Sequence, residues 1–275
     1  MIVCYLMGNC EEFVDMTLSS IYEVVERIII VFDTTSKDNT VSKINEWKEK
    51  LNDKLIILNR PFEHDPSIKF SNSNARNFYL DYLKQNFMGE WTLVLDADEV
   101  VDERVKDFIP QLQNLTENDI ISPQMRHLIY TLNLEDTTRN IHFVHNRLFK
   151  VNDNLQYPNG EHPVLYSKSP NVKYLNTNYF VIWHLSYING MFDIRKKYFN
   201  HKQKSEIHTS QELRQWYLWH TLTEYPVKKF DPTELPKVVK DYFEISDQEL
   251  YYKTRKNLEL KHIIDLWQWK QYFNL

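Results

Sequence analysis

Glycine is scarce in this chain, and the positions of the few glycines exclude several nucleotide-binding motifs. The 275 residues contain four glycines, at positions 8, 89, 160 and 190, and no two of them lie close together. A phosphate-cradling P-loop and the G-x-G-x-x-G turn of dinucleotide-binding proteins both need closely spaced glycines. The sequence therefore argues against a kinase, a P-loop nucleotidase and an ordinary dehydrogenase.

Cysteine and long apolar runs are also scarce. Two cysteines, Cys4 and Cys10, cannot build a disulfide framework, which indicates a reducing compartment. No run approaches the roughly 18 apolar residues of a membrane span, and the first residues lack the basic region and apolar core of a signal peptide. We therefore expect a soluble, cytoplasmic protein.

The charge is mildly acidic, with a formal net value of −5. A protein whose main partner is a phosphate backbone needs a basic surface, so no nucleic-acid partner is expected. Hydrophobic residues make up 42% of the chain. That share is enough for a sizeable core in one large domain, or in one domain with an appendage.

Short apolar runs alternate with amphipathic segments over the first 120 residues. The runs "IVCYLM", "RIIIVF", "KLIIL" and "EWTLVL" predict strands, and helical spacing predicts helices within 13–24, 40–51 and 74–87. Runs without polar alternation are typical of strands buried on both faces of a parallel sheet. The pattern predicts an α/β fold, a Rossmann-like and mostly parallel sheet flanked by helices.

The pattern changes after residue 120. Apolar runs without clear helices between them predict a β-rich part over 121–190, and the charged, aromatic segment that follows shows helical spacing. We therefore predict one domain over 1–190, with 1–120 as its α/β part, and a helical C-terminal extension over 191–275. These last helices could pack, form a homo-oligomer or rest on a membrane surface.

Clustered acids follow the apolar run in "WTLVLDADEVV". In an extended segment Asp96 and Asp98 face the same way, at the strand end where α/β sheets bind ligands, whereas Glu99 points away and would support the next helix. Two carboxylates about 4 Å apart repel by roughly 4 kcal/mol, which favours a bound Mg²⁺ or Mn²⁺ over zinc. The alternative is a solvated turn with Asp102 as N-cap of the next helix.

Two further segments carry candidate binding residues. Asp33 ends a buried strand and is followed by Thr34 and a helix start, so its carboxylate could accept hydrogen bonds from a ribose or base. Arg76 lies near the start of a helix, where a cation opposes the helix dipole and indicates a ligand or a carboxylate partner. The alternatives are helix capping in the first segment and an ordinary surface arginine in the second.

Acidic and histidine residues recur downstream. Glu161 and His162 follow a proline and a glycine, and His184 ends an apolar strand. A histidine in such a strand is more often structural than a ligand. His142 and His145 are predicted to be structural, because residues three apart in a strand point to opposite faces.

The segments "NCEEF", "IIIVFDTTSKDNT", "SNSNARN", "LVLDADE", "GEHP" and "VIWH" occur in this order between residues 1 and 187. Together they resemble the inverting family 2 glycosyltransferases of the GT-A fold, especially bacterial lipopolysaccharide-type members. The resemblance implies a hexosyltransferase-type enzyme. It would move a sugar from a UDP- or GDP-sugar to a hydroxyl of a glycan, lipid-linked or protein acceptor.

The resemblance also implies roles for individual residues. The nucleotide sugar would contact Asp33, Thr34, Arg76 and Asp96. A Mn²⁺ or Mg²⁺ cofactor would bind Asp98, the second acid of a D-x-D motif, and His184. Glu161 would be the catalytic base, although this chain has Glu161 then His162 where related members have the opposite order. A second departure is Thr35, where a small residue is common.

Two other functions stay open at this point. A sugar-phosphate nucleotidyltransferase also has an α/β fold and metal-binding acids, but its glycine-rich, basic loop near the N-terminus is missing from the sequence. A non-catalytic glycan-binding or scaffolding protein could keep the same fold.

Overall fold

The computed structural model describes residues 1–61, 72–129, 132, 134–137, 145–158, 163–188 and 227–243. The chain forms two compact units. The first unit comprises Met1–Met125, Phe143–Trp183 and Pro236–Val238, and the second comprises Arg126–His142, His184–Leu235 and Val239–Leu275.

Twelve strands lie within the described residues: β1 (Ile2–Met7), β2 (Arg27–Asp33), β3 (Leu55–Arg60), β4 (Trp91–Asp96), β5 (Glu99–Val101), β6 (Asp119–Ile129), β7 (Leu134–Asp136), β8 (Leu148–Lys150), β9 (Leu155–Gln156), β10 (Tyr166–Ser167), β11 (Lys173–Tyr187) and β12 (Val227–Lys229). The α-helices of the same residues are α1 (Val14–Ser19), α2 (Thr40–Leu51), α3 (Asn72–Asn86), α4 (Val105–Phe108) and α5 (Lys237–Tyr242). Short 3₁₀ helices cover Asn52–Lys54, Ile109–Asn114 and Pro232–Glu234.

The first unit is built on four parallel strands in the order β3-β2-β1-β4. Beyond β4 the sheet continues with β8, antiparallel to β4, and then with β6, antiparallel to β8. β5 pairs with β11. The prediction of an α/β fold with a mostly parallel central sheet is confirmed.

The parallel strands are buried because they carry apolar residues on both faces. Positions 28 to 31 of β2 and 93 to 95 of β4 are fully buried. On one side of the sheet α3 packs Tyr79, Leu80 and Leu83 into the core, against side chains of β1, β2 and β4. Helix α2 spans the predicted residues, and its Ile44 and Trp47 are buried.

Some elements differ in extent from the prediction. The first helix is limited to α1, and turns occupy residues 20–24. The run "DIISPQ" and the first three residues of "HLIYTL", two apolar runs near the start of the predicted β-rich part, belong to the single strand β6. This one long strand pairs with β8 near its start and with β7 near its end.

The second unit contains an antiparallel arrangement in which β7 pairs with β12 and with the end of β6. The buried Arg126 binds two acids, with its Nη2 2.8 Å from Glu135 Oε2 and its Nη1 2.7 Å from Glu234 Oε2. Its guanidinium also lies over the Phe230 ring at 4.3 Å. This ion cluster ties the 3₁₀ helix at Pro232–Glu234 to β6 and β7.

The predicted helical extension over 191–275 is described only at residues 227–243, where β12, the 3₁₀ helix and α5 lie. The remainder lies outside the described residues, so the prediction of a helical extension stays a prediction. None of the helices in the described ranges is long and apolar enough to cross a membrane.

Both thiols are expected to be unreactive in the folded chain. Cys4 and Cys10 are buried, and burial raises the pKa of Cys10 to about 12 and lifts that of Cys4 above its usual range. Because the thiolate is the reactive species, Ellman's reagent should label neither residue before denaturant is added and both afterwards. Rapid labelling of one thiol in the native chain would contradict this packing.

Candidate functional site

The carboxyl ends of three parallel strands meet at one edge of the first unit's sheet. β1 lies between β2 and β4, and its partner residues place Phe32 beside Met7 and Asp96 beside Leu6. The chain moves from β1 outward to β2 and β3, then returns to the other side of β1 as β4. Such a reversal of strand order is where open α/β sheets bind ligands.

The loops that follow β1 and β2 exchange hydrogen bonds at this edge. The backbone N–H of Asn9 donates to Ser36 Oγ at 2.9 Å, and Asn9 Oδ1 accepts from the N–H of Lys37 at 2.9 Å. The N–H of Cys10 donates to Thr40 Oγ1 at 2.8 Å. Two further bonds link Glu11 with Asp38 and Asn39. The two loops therefore form one continuous wall of the candidate site.

Asp33 lies in this wall with its side chain buried. Its Oδ1 accepts hydrogen bonds from the backbone N–H of Thr35 at 2.9 Å and from Thr35 Oγ1 at 2.7 Å. A Cβ atom at Gly8 would lie 2.6 Å from Asp33 Cβ, so only glycine allows this approach. Thr35, the departure from the family pattern, therefore orients Asp33. The nucleoside contacts of Asp33 and Thr34 stay predictions.

Asp96 is bound by two arginines. Arg76 Nη2 lies 2.6 Å from Asp96 Oδ1, and Arg147 Nη2 lies 3.0 Å from Asp96 Oδ2. Both guanidinium side chains are buried, whereas the Asp96 side chain keeps 33% of its surface exposed. The carboxylate partner predicted for Arg76 is thus Asp96. No sequence motif singles out Arg147, which directly precedes the short strand β8.

Glu99 belongs to the same cluster. It is buried, its Oε1 lies 2.6 Å from Arg147 Nη2, and its Oε2 accepts a hydrogen bond from the backbone N–H of Asp96 at 2.7 Å. The prediction that Glu99 points away and supports the next helix was therefore wrong. Strand β5 pairs with β11 and starts at Glu99, which directs the side chain inward instead.

The backbone between the two aspartates is not extended. β4 ends at Asp96, a turn occupies Ala97 and Asp98, and β5 begins at Glu99. The alternation argument that gave Asp96 and Asp98 a shared face therefore does not apply. The negative charge of half-buried Asp98 still reaches the cluster, because it helps to raise the pKa of Glu99.

The pKa values of the two acids in the cluster, Asp96 and Glu99, are shifted in opposite directions. Burial raises the pKa of Asp96, but the charges of Arg147 and Arg76 outweigh burial and hold it well below the usual range. Burial raises the pKa of Glu99 to about 8, although Arg147 opposes the rise. Asp96 is therefore ionised at neutral pH, and an ionised carboxylate can only accept hydrogen bonds.

The chain on either side of Glu161 is anchored, although Glu161 itself lies outside the described residues. Before it, the Asn77 side chain accepts from the N–H of Tyr157 and donates to the Tyr157 carbonyl oxygen, each at 3.0 Å. After it, the carbonyl oxygen of Leu165 accepts from Asn146 Nδ2 at 2.6 Å. Asn77 lies one residue after Arg76 on α3, so one helix contacts both Asp96 and this segment.

His184 lies in the second unit. Its ring centroid is 4.9 Å from that of His127, a buried residue of β6 that the sequence analysis did not select. His142 lies outside the described residues. The metal role of His184 stays a prediction.

A divalent cation would find few protein ligands among the described residues of this site. Each Asp96 oxygen already faces a guanidinium group, which makes Asp96 a poor metal ligand. Within the described ranges, no group of three or more histidine, cysteine or acidic residues is arranged to hold a metal ion. Mg²⁺ is commonly held by one or two carboxylates together with substrate phosphates. Asp98 with a bound diphosphate fits that pattern, and a cage made of described protein ligands alone does not.

Comparisons with known proteins give no family assignment. No protein-family model matches the chain, and no curated protein matches it in sequence. Solved structures with a similar arrangement include S. aureus TarS, at 15% identity and a TM-score of 0.43, with the match covering 81% of this chain and 43% of TarS. The chain thus spans less than half the length of that protein.

Two other similar structures contain ligands. The 1–349 fragment of S. aureus TarS in complex with UDP-GlcNAc is 16% identical, with a TM-score of 0.41 over 66% of this chain and 58% of the fragment. GalNAc-T7 with UDP, GalNAc and Mn²⁺ is 11% identical, with a TM-score of 0.45 over 93% of this chain and 56% of that one. TarS and GalNAc-T7 are glycosyltransferases. Likeness of this degree does not assign the chain to their family.

Replacing Asp96 is expected to destabilise the chain strongly. Asp96→Asn leaves Arg76 without its carboxylate, and breaking a buried ion pair in this way costs about 3 kcal/mol, a low value in the usual range because Asp96 is partly exposed. Asp15→Asn is the matched control, because Asp15 pairs with Lys43 at a more exposed position, and it should cost only about 0.5 kcal/mol. Denaturant unfolding of both variants measures the difference. Equal losses of unfolding free energy in the two variants would show that the Asp96 cluster stabilises the chain no more than a surface ion pair does.

Proposed function

We propose that the chain is a glycosyltransferase that moves a sugar from a nucleoside-diphosphate sugar to an acceptor hydroxyl. The observation that carries this proposal is the placement of Asp33 and Asp96. They end β2 and β4, on the two sides of β1, at the point where the strand order reverses. A nucleotide sugar bound across this point would meet one carboxylate at each side.

The two carboxylates differ in what they can bind. Asp33 sits in the wall made by the two loops, where it suits the base or ribose of a nucleoside. Asp96 is ionised and partly exposed, and its two arginines make it unattractive to a cation. Its remaining lone pairs therefore suit the hydroxyl groups of a ribose or sugar. Arg76 contributes by holding Asp96 and by its positive charge near the donor.

Asp98 is the proposed metal ligand, with His184 as a second ligand carried over from the family resemblance. When bound, Mn²⁺ or Mg²⁺ would supply positive charge that neutralises the leaving nucleoside diphosphate. Asp98 lies in the turn at Ala97 and Asp98, directly after the end of β4, and this position supports the proposal.

Glu161 is the proposed general base. Its carboxylate would take the proton of the acceptor hydroxyl as that oxygen bonds to the anomeric carbon and the bond to the diphosphate breaks on the opposite side. This geometry gives inversion at the anomeric carbon. Tyr157 and Leu165, the described residues anchored on either side of Glu161, hold their positions through hydrogen bonds to Asn77 and Asn146.

Nucleotide binding is expected to stabilise the chain in a metal-dependent way. UDP, GDP and their sugars, with UDP-GlcNAc first, should each be tested by thermal shift with and without Mn²⁺. A ligand at 100 times its Kd adds about 2.7 kcal/mol, equivalent to a rise in Tm of about 5 °C. Asp98→Asn should lose the part of the shift that depends on the metal.

The control for that variant is Asp107→Asn, an exposed acid on α4, which should behave as the wild type. Absence of a shift with every nucleotide would overturn the glycosyltransferase proposal. It would favour a non-catalytic glycan-binding or scaffolding protein, whereas formation of a nucleotide sugar from a sugar phosphate would favour a nucleotidyltransferase.

The base is tested by Glu161→Gln. The amide keeps the size of the side chain but cannot take a proton, so transfer should fall by about 10² to 10⁴-fold while nucleotide binding is unchanged. Glu117→Gln, at an exposed position of the first unit, is the control. Full transfer by Glu161→Gln would move the role to another carboxylate.

A further inference from the structure

Arg147 links the side chain of Asp96 to the side chain of Glu99. Its Nη2 lies 3.0 Å from Asp96 Oδ2 and 2.6 Å from Glu99 Oε1. Glu99 Oε2 then accepts from the backbone N–H of Asp96 at 2.7 Å. The three residues form a closed ring of contacts that fixes the main chain and the side chain of Asp96 together.

The backbone of Arg147 is itself held in the sheet. Its N–H donates to the carbonyl oxygen of Ile121 in β6 at 3.1 Å, and its carbonyl oxygen accepts from the N–H of Val94 in β4 at 2.8 Å. The side chain therefore starts from a rigid point in the sheet. Arg147 contacts Asp96 Oδ2, and Arg76 contacts Asp96 Oδ1.

Stability alone gives a weak reason for this arrangement. Taking two guanidinium groups and two carboxylates out of water is costly, and apolar replacements of similar volume are often as stable as a buried ion cluster. The two arginines also repel each other. Burial and this repulsion lower the pKa of Arg147, but the interactions with Asp96 and Glu99 outweigh them and raise it. What the cluster does supply is one fixed orientation for a partly exposed carboxylate.

We propose that Arg147 is a positioning residue that holds the Asp96 carboxylate for the hydroxyl groups of the sugar or ribose of the donor. This inference rests on the proposed function. Lysine is expected to replace arginine poorly here, because its ammonium is more strongly hydrated, and so costlier to bury, and its flexible stem does not fix the direction of the donors as a planar guanidinium does. Binding energy lost from a ground-state contact raises KM and leaves kcat nearly unchanged.

The second unit offers a matched control. Arg126 is a buried arginine bound to two acids, Glu135 and Glu234, and it contacts neither Asp96 nor Glu99 in the hydrogen bonds of the described residues. Arg126→Lys should therefore lower the Tm about as much as Arg147→Lys. A purely structural role for Arg147 predicts that the two variants also agree in every other measurement.

The test compares the full-length wild type, Arg147→Lys and Arg126→Lys. Calorimetry measures the Kd for UDP-GlcNAc, or for whichever nucleotide sugar gave the thermal shift, and steady-state transfer measures kcat and KM. We expect Arg147→Lys to weaken donor binding and raise KM by about tenfold with kcat little changed. Arg126→Lys should keep wild-type donor binding despite its lower Tm.

A second matched pair covers the case in which Arg147→Lys does not fold. Glu99→Leu removes both the oxygen that faces Arg147 and the oxygen that accepts from the Asp96 N–H, and it should weaken donor binding about threefold. Glu135→Leu removes the equivalent partner from Arg126 and should leave binding unchanged. Wild-type donor affinity in either first-unit variant would overturn the role of Arg147. A wild-type chain that binds no nucleotide sugar would instead overturn the proposed function, together with the inference that rests on it.

Discussion

A negative charge at the buried end of a central strand is the constraint on which the candidate site depends. Asp96 ends β4, and an isolated carboxylate there would be costly to remove from water. Arg76 reaches it from α3 and Arg147 from the residue before β8. Because Arg147 directly precedes β8, the pairing of β8 with β4 brings this guanidinium to Asp96. Glu99 contacts Arg147 in turn.

The cluster also explains how two neighbouring aspartates can differ in chemistry. Asp96 ends a strand and faces two arginines, whereas Asp98 lies in the turn that follows. Under the proposed function, Asp96 would bind hydroxyl groups and Asp98 would bind a cation. A D-x-D segment need not place both acids on one metal ion, because the backbone between them decides which charges each one meets.

Local patterns in the sequence were enough for the parallel sheet and for part of the site. The strands β1 to β4 and helix α2 follow from apolar runs and helical spacing. Arg76 does have a carboxylate partner, Asp96, but α3 begins at Asn72, so Arg76 lies beyond the first turn on which the dipole argument depended. The missing members were Arg147 and Glu99. Their contacts span 51 residues for Asp96 with Arg147 and 48 for Glu99 with Arg147, and no local pattern encodes a pairing over that distance. The turn at Ala97 and Asp98 was missed because alternating acids fit an extended strand equally well.

The approach of Gly8 to Asp33 has a consequence for how related chains can vary. A side chain at position 8 would have to occupy space already filled by Asp33 Cβ, 2.6 Å from the first carbon it would add. Position 33 could make room only by giving up its carboxylate. The two positions therefore constrain each other's substitutions, and a homologous chain that keeps the aspartate must also keep the glycine 25 residues before it. The residue that follows β1 and the residue that ends β2 are therefore expected to vary together.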